Sequence, residues 1–162
     1  MGIHQIQIAY EAVPDRLLLR VSTQAGEEYL AHLTRRFVRQ IWPSLGPLAR
    51  APEAVPAARP SSGAGRFDKP YAPADDLVRP LGQVPLLVSE ARIERDKADH
   101  LVLVLREHRA RSMSLTLNDS LLQVFCAMLR AGTRAADWDL DLDAAGDAPR
   151  APQATPPTGV LH

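Results

Sequence analysis

With 162 residues, 46% of them apolar and 23% charged, the chain has the make-up of a soluble globular protein, with room for one domain or two small modules around a modest, mostly aliphatic core. Nineteen Lys and Arg offset nineteen Asp and Glu, so indiscriminate binding to nucleic acid or anionic membrane is not expected from the total charge, and any electrostatic partner must be read from local patches. One cysteine excludes an internal disulfide, and the cleanest apolar run, Leu101 to Leu105, falls far short of the roughly 18–20 residues of a membrane span, so the reading is a cytoplasmic protein without membrane contact.

Residues 3–10 alternate, with Ile6, Ile8 and Tyr10 on one side and Gln5, Gln7 and Ala9 on the other, the period of a half-buried strand. Pro14 and Asp15 break it with a turn. Leu17, Leu19 and Val21 resume the alternation, Gln24-Ala25-Gly26 reads as the next turn, and Tyr29, Ala31 and Leu33 form a third strand. Thr34 is placed to cap a helix carrying Phe37, Val38, Ile41, Trp42 and Leu45 at helical spacing. Pro43 is expected to kink or end that helix, and Gly46-Pro47 to mark its stop.

Residues 46–84, dominated by Pro, Ala, Gly and Ser, read as a flexible linker. Arg66-Phe67-Asp68-Lys69-Pro70-Tyr71 is the exception, since its two aromatics suit docking on the folded part or a short recognition segment. The strand pattern then restarts. Leu87, Ala91 and Ile93 suit a strand, Asp96 to Asp99 a turn, Leu101, Leu103 and Leu105 a second strand, and Met113, Leu115 and Leu117 a third. Asn118 or Asp119 caps a helix with Leu121, Leu122, Phe125, Cys126 and Leu129 on its apolar face. Cys126 there reads as a small buried apolar residue.

The two halves match in pattern at a fixed separation of 84 residues, which relates Leu17 to Leu101, Leu33 to Leu117, Thr34 to Asn118 and Leu45 to Leu129. The expected fold class is therefore α+β: two tandem β-β-β-α units, antiparallel sheet with helices on one face, related by a pseudo-two-fold. The units are residues 1–45 and 85–138, with the linker at 46–84 and an acidic, then Pro-rich, disordered tail at 139–162.

On the outward face, Val102 and Val104 make the strand at 101–105 apolar on both sides, the pattern of a strand covered twice. They are the interface candidates, for a second copy or a partner protein. Arg16, Arg20, Arg92 and Arg106 are the charged candidates on that face. Thr34, Arg35, Arg36 and Arg39 stand at a helix N-terminus, where cations oppose the helix dipole by roughly 0.3–1 kcal/mol each. Their presence there points to an anion held by free N–H groups and guanidinium forks, either a phosphate or one of the protein's own carboxylates such as Glu27, Glu28 or the acidic tail.

Asp137, Asp139 and Asp141 begin like a calcium loop, but Leu142 stands where the turn glycine is needed and Ala148 where the bidentate Glu belongs. No histidine has zinc-ligand spacing, Ser, His and Asp occur without a nucleophile elbow, and Gly63-Ala64-Gly65 does not join a strand to a helix. No catalytic residue, metal or cofactor is assigned.

The stretch Asp15-Arg16-Leu17-Leu18-Leu19-Arg20, followed by Gly26-Glu27-Glu28 and Leu33-Thr34-Arg35-Arg36, resembles a small family of uncharacterised proteobacterial proteins over the first forty-odd residues. In architecture alone, duplicated sheet-and-helix units are similar to the PUR and Whirly single-stranded nucleic-acid binders, which have four strands per unit and stacking aromatics on the exposed face; three strands and no such aromatics are counted here. The function expected is a bacterial, non-enzymatic protein-interaction or scaffold protein, with single-stranded nucleic-acid binding as the alternative.

Overall fold

The structure is a computed structural model and describes residues 2–50, 71–72 and 76–142. In chain order it holds β1 (Ile3–Glu11), β2 (Arg16–Thr23), β3 (Glu28–Leu33), α1 (Arg35–Arg50), β4 (Leu86–Leu87), β5 (Glu90–Arg95), β6 (Leu101–Arg106), β7 (Ser112–Leu117) and α2 (Asp119–Ala135). The fold is α+β, with two sheets and two helices. The first sheet runs β1-β2-β3-β4, antiparallel except for β4, which lies parallel to β3; the second runs β5-β6-β7, antiparallel throughout.

Alternation sets the strands. In β6 the odd-numbered leucines 101, 103 and 105 point inward and are buried, as are Met113, Leu115 and Leu117 of β7. Leu17 lies opposite Leu33 and Leu19 opposite Ala31 in the first sheet; Leu101 lies opposite Leu117 and Leu103 opposite Leu115 in the second. Left-handed residues close the turns: Asp15 at φ 49° before β2 and Asp99 at φ 63° before β6. Inward side chains of both sheets and of both helices form one core cluster, with Leu17, Leu33, Leu45, Leu103, Phe125 and Leu129 fully buried. Each such side chain contributes roughly 1.5–3 kcal/mol by leaving water.

Both helices begin on the residues that the sequence predicts. Thr34 Oγ1 accepts from the Phe37 N–H at 3.2 Å, and Asn118 Oδ1 from the Leu121 N–H at 2.8 Å, so each cap satisfies one otherwise orphaned donor. The helix stop does not follow prediction. α1 continues through Pro43 and Pro47 to Arg50. The two prolines are four residues apart and both exposed, so they share the solvent face, where water can satisfy the carbonyls that lose a donor. The opposite face, with Val38, Ile41, Trp42 and Leu45 buried, holds the helix in place. At Gly46 a β-carbon would stand 3.1 Å from the Trp42 indole, tighter than an ordinary contact.

The folded part also extends past the expected tail boundary. Trp138 and Leu142 are buried, Leu140 packs against the core, and the Leu142 carbonyl accepts from the Trp42 indole N–H at 2.9 Å. The predicted linker at 46–84 is likewise only partly linker. It begins as the last turn of α1, and Leu81 packs on the core. Arg66 to Pro70 lie outside the described residues, whereas Tyr71 docks, its hydroxyl donating to Glu28.

α2 packs on β1 and on α1. At Gly132 the approach is so close that a β-carbon would meet Leu17 Cδ2 at 3.1 Å and Ile8 Cγ2 at 3.4 Å. Eighty-four residues earlier, α1 carries Leu48.

Candidate functional site

The helix-start cluster divides in the structure. Thr34 is used as a cap, and Arg35, Arg36 and Arg39 are all exposed, with no acid in the first turn of α1. Of the carboxylates expected to answer them, Glu27 accepts from the Tyr29 hydroxyl and Glu28 is engaged by Arg79. Asp15 is the acid whose carboxyl feels Arg35. Arg36 and Arg39 make no ion pair within 4 Å among the described residues.

The four sheet arginines do not share one surface. Arg16 and Arg20 stand on β2 of the first sheet, Arg92 and Arg106 on β5 and β6 of the second. Arg20 acts on Glu28 and Tyr71, and Arg92 pairs with Glu94 at 2.6 Å.

The strand buried on both faces is β2, not β6. Leu18 and Ser22, on the outward side of β2, are 4% and 3% exposed, and Glu28, opposite Ser22 on β3, is 2% exposed. Residues 71–72 and 76–88 account for part of this cover. Arg79 Nε donates to Glu28 at 2.7 Å, Tyr71 donates to the same carboxylate, the Glu28 N–H donates to Val78 O at 2.8 Å, and the Val88 N–H donates to His32 O at 3.1 Å. Burial alone would push the Glu28 carboxyl up, but the two side-chain hydrogen bonds and the Arg79 charge outweigh it and hold the group low. Burial, then the bond to Glu28, pushes the Tyr71 phenol up.

The matching face of the second sheet lacks such a cover among the described residues, and Val102 and Val104 stay half-exposed. Three cross-strand rows compose it: Glu94, Val102 and Thr116; Arg92, Val104 and Ser114; Glu90, Arg106 and Ser112. The valines sit at the centre, charges of both signs flank them on β5, and hydroxyls flank them on β7.

A cleft of about 350 Å³ separates α1 from β5. Buried Phe37 and Ile41 form its base, Gln40, Ser44 and Leu48 its α1 wall, and Ala91 and Ile93 its β5 wall, with Ser89 just before that strand. β5 is an edge of its sheet, so the cleft opens beside unpaired strand backbone.

A third cluster lies at the other end of the chain order. Asp15 Oδ1 accepts from the Trp138 indole and the Tyr10 hydroxyl, both at 2.9 Å. Those bonds, the indole's first, hold the Asp15 carboxyl below its ordinary range. Cys126 is fully buried as expected, and burial pushes its thiol up to about 11, so it is not a thiolate near neutrality. The described residues hold no group of three or more His, Cys, Asp or Glu placed to share a metal ion, and none of their helices is long and apolar enough to cross a membrane.

Scans against known family models, curated proteins and solved structures found no match for this chain.

Sequence reasoning did not find the Glu28–Tyr71–Arg79 contact, the Asp15 acceptor or the cleft. The first two join residues 43 to 123 positions apart with no periodic signature. Two signals were available: the aromatic Tyr71, read as suited to docking on the folded part, and the Leu17-Leu18-Leu19 run, which marks β2 as apolar on both sides as plainly as Val102 and Val104 mark β6.

Proposed function

We propose that the chain is a duplicated β-β-β-α unit acting as a non-enzymatic protein-interaction or scaffold protein of the bacterial cytoplasm, and that it self-associates through the outward face of β5-β6-β7. Duplication is supported by the shared 84-residue separation of β3 and β7, of both helix starts, of the cross-strand pairs Leu17–Leu33 and Leu101–Leu117, and of the left-handed Asp15 and Asp99. The observation that carries the function is the contrast between the two outward faces. Leu18, Ser22 and Glu28 are covered, while Val102 and Val104, in the second sheet, are only partly buried. A face with central valines and both charge signs at its margin is self-complementary, since Arg106 of one copy can meet Glu94 of another in a two-fold dimer.

Sedimentation velocity over a concentration series tests this. The wild-type chain is expected to form a dimer and Val104→Asp a monomer with an unchanged circular-dichroism spectrum. A wild-type chain that stays monomeric at every concentration overturns the reading.

Arg36 and Arg39, lacking an ion-pair partner among the described residues, favour single-stranded nucleic acid as a second reading. It predicts binding to a labelled single strand that falls steeply with salt and is removed by Arg35→Glu with Arg36→Glu.

A further inference from the structure

We propose that the cleft between α1 and β5 receives an extended, acidic segment of a partner protein, which adds to β5 as a fourth strand of the second sheet. The proposal goes beyond self-association, because it uses the edge of that sheet rather than its outward face.

The case begins with an asymmetry. α2 closes tightly onto β1 because Gly132 has no side chain to hold the helix away from Leu17. The corresponding position on α1 is Leu48, and there the helix stands off β5 and leaves the cleft of about 350 Å³. That volume lies within the range of small-ligand sites. Its shape matches a known mode of peptide recognition, in which an added strand lies between a helix and a sheet edge, gains affinity from main-chain hydrogen bonds and gains specificity from every second side chain.

Both requirements are met. β5 has one hydrogen-bonded neighbour, β6, and no other backbone partner along Glu90–Arg95 among the described residues. The base of the cleft, Phe37 and Ile41, together with Ile93, is apolar and suits alternate apolar side chains of an incoming strand.

Charge then selects among extended peptides. Arg36 is one turn before Gln40 on the row that continues through Ser44 and Leu48, so it stands at the head of the α1 wall. It is exposed and without an ion pair among the described residues, whereas Glu90, Arg92 and Glu94 of β5 alternate onto the outward face, opposite to Ala91 and Ile93 of the cleft wall, and Arg92 is paired with Glu94 at 2.6 Å. The field left unanswered at the cleft is therefore positive, and an acidic residue at the head of the added strand answers it.

Fluorescence anisotropy with the full chain tests the proposal, using three labelled octapeptides: one alternating leucine with aspartate, one alternating leucine with lysine, and the acidic one with alternate backbone nitrogens methylated. The unmodified acidic peptide is expected to bind with a dissociation constant on the order of 10 µM. The lysine and N-methylated peptides should bind at least about tenfold more weakly. Arg36→Glu, and Ala91→Trp to fill the cleft from an exposed position, should each weaken the acidic peptide to a similar degree while leaving the circular-dichroism spectrum unchanged. Val104→Asp should not affect it, which separates this site from the dimer face. Equal binding of the acidic and lysine peptides, indifference to N-methylation or to Ala91→Trp, or no binding at all would overturn the proposal. So would displacement of the acidic peptide from wild-type protein by a labelled single-stranded oligonucleotide at lower concentration than by the unlabelled peptide, which would assign Arg36 to nucleic acid.

Discussion

Gly132 of α2 lies close against Leu17 of β2: an added β-carbon would be 3.1 Å from Leu17 Cδ2, tighter than an ordinary contact. A helix from the second half of the chain is thereby seated on strands of the first. The halves share one core, and neither closes its own inner face alone. Gly132→Leu should therefore cost about 3 kcal/mol, combining overpacking with displacement of α2 from β1. Urea denaturation measures it, and a loss below about 1 kcal/mol would mean that α2 can shift without consequence.

The Glu28 carboxylate is buried beneath Arg79 and Tyr71. Replacing it by Gln leaves the guanidinium without its partner, at a cost of roughly 2–3 kcal/mol. The loss should be local in its structural effect. Amide hydrogen exchange at Glu28, whose N–H donates to Val78 O, and at Val78, whose N–H donates to Gly26 O, is expected to accelerate more than exchange in β6.

Asp15 gives a pH dependence of definite sign. Its carboxyl is held low in the folded state, so its contribution is complete above the unfolded value of about 3.9 and disappears as the pH falls through the folded value. By NMR, the Trp138 indole N–H resonance should move over that acid range while that of Trp42, bonded to a backbone carbonyl, stays put. Asp15→Asn should remove the movement.

Cys126 is predicted to resist modification. With its thiol buried and its ionisation pushed up to about 11, reaction with a thiol reagent near neutral pH should proceed only through opening of α2. The labelling rate should rise with urea in step with unfolding; a fast rate in buffer alone would contradict the packing.

Ser22 Oγ is buried without a hydrogen-bond partner among the described residues. Such a hydroxyl carries an uncompensated desolvation cost of about 1–3 kcal/mol. Ser22→Ala should leave stability unchanged or raise it by about 1 kcal/mol, read as a higher melting temperature.

What the sequence made legible was periodic. Alternation located the strands around Ile6, Leu17, Ala31, Leu103 and Leu115, and the residue types of Thr34 and Asn118 located both helix starts, because capping is a local contact over three residues. The end of α1 was not legible, since the penalty of Pro43 and Pro47 depends on which side faces water, and burial of Trp42 and Leu45 decides that. Of the cover of the first sheet, docking of Tyr71 was legible from its aromatic ring, but its joining to Glu28 beside Arg79 was not, since it runs through the least periodic part of the chain. The arginines at 35, 36 and 39 were found by their unfavourable position at a helix start, but the division of labour among them needed geometry. The cleft was invisible because it depends on how α1 stands against β5, which leaves no periodic mark in the sequence.

The bond between the Trp42 indole and the Leu142 carbonyl sets an order of events during synthesis. The two residues are 100 positions apart, and at about 5–20 residues per second a ribosome needs roughly 5–20 s to pass from one to the other. Over that interval the emerging α1 presents its indole and the apolar row beside it without the chain that closes over them. Final burial of the first helix therefore waits on translation of the second half, and a chain stalled before residue 142 would leave the ribosome as a client for chaperones.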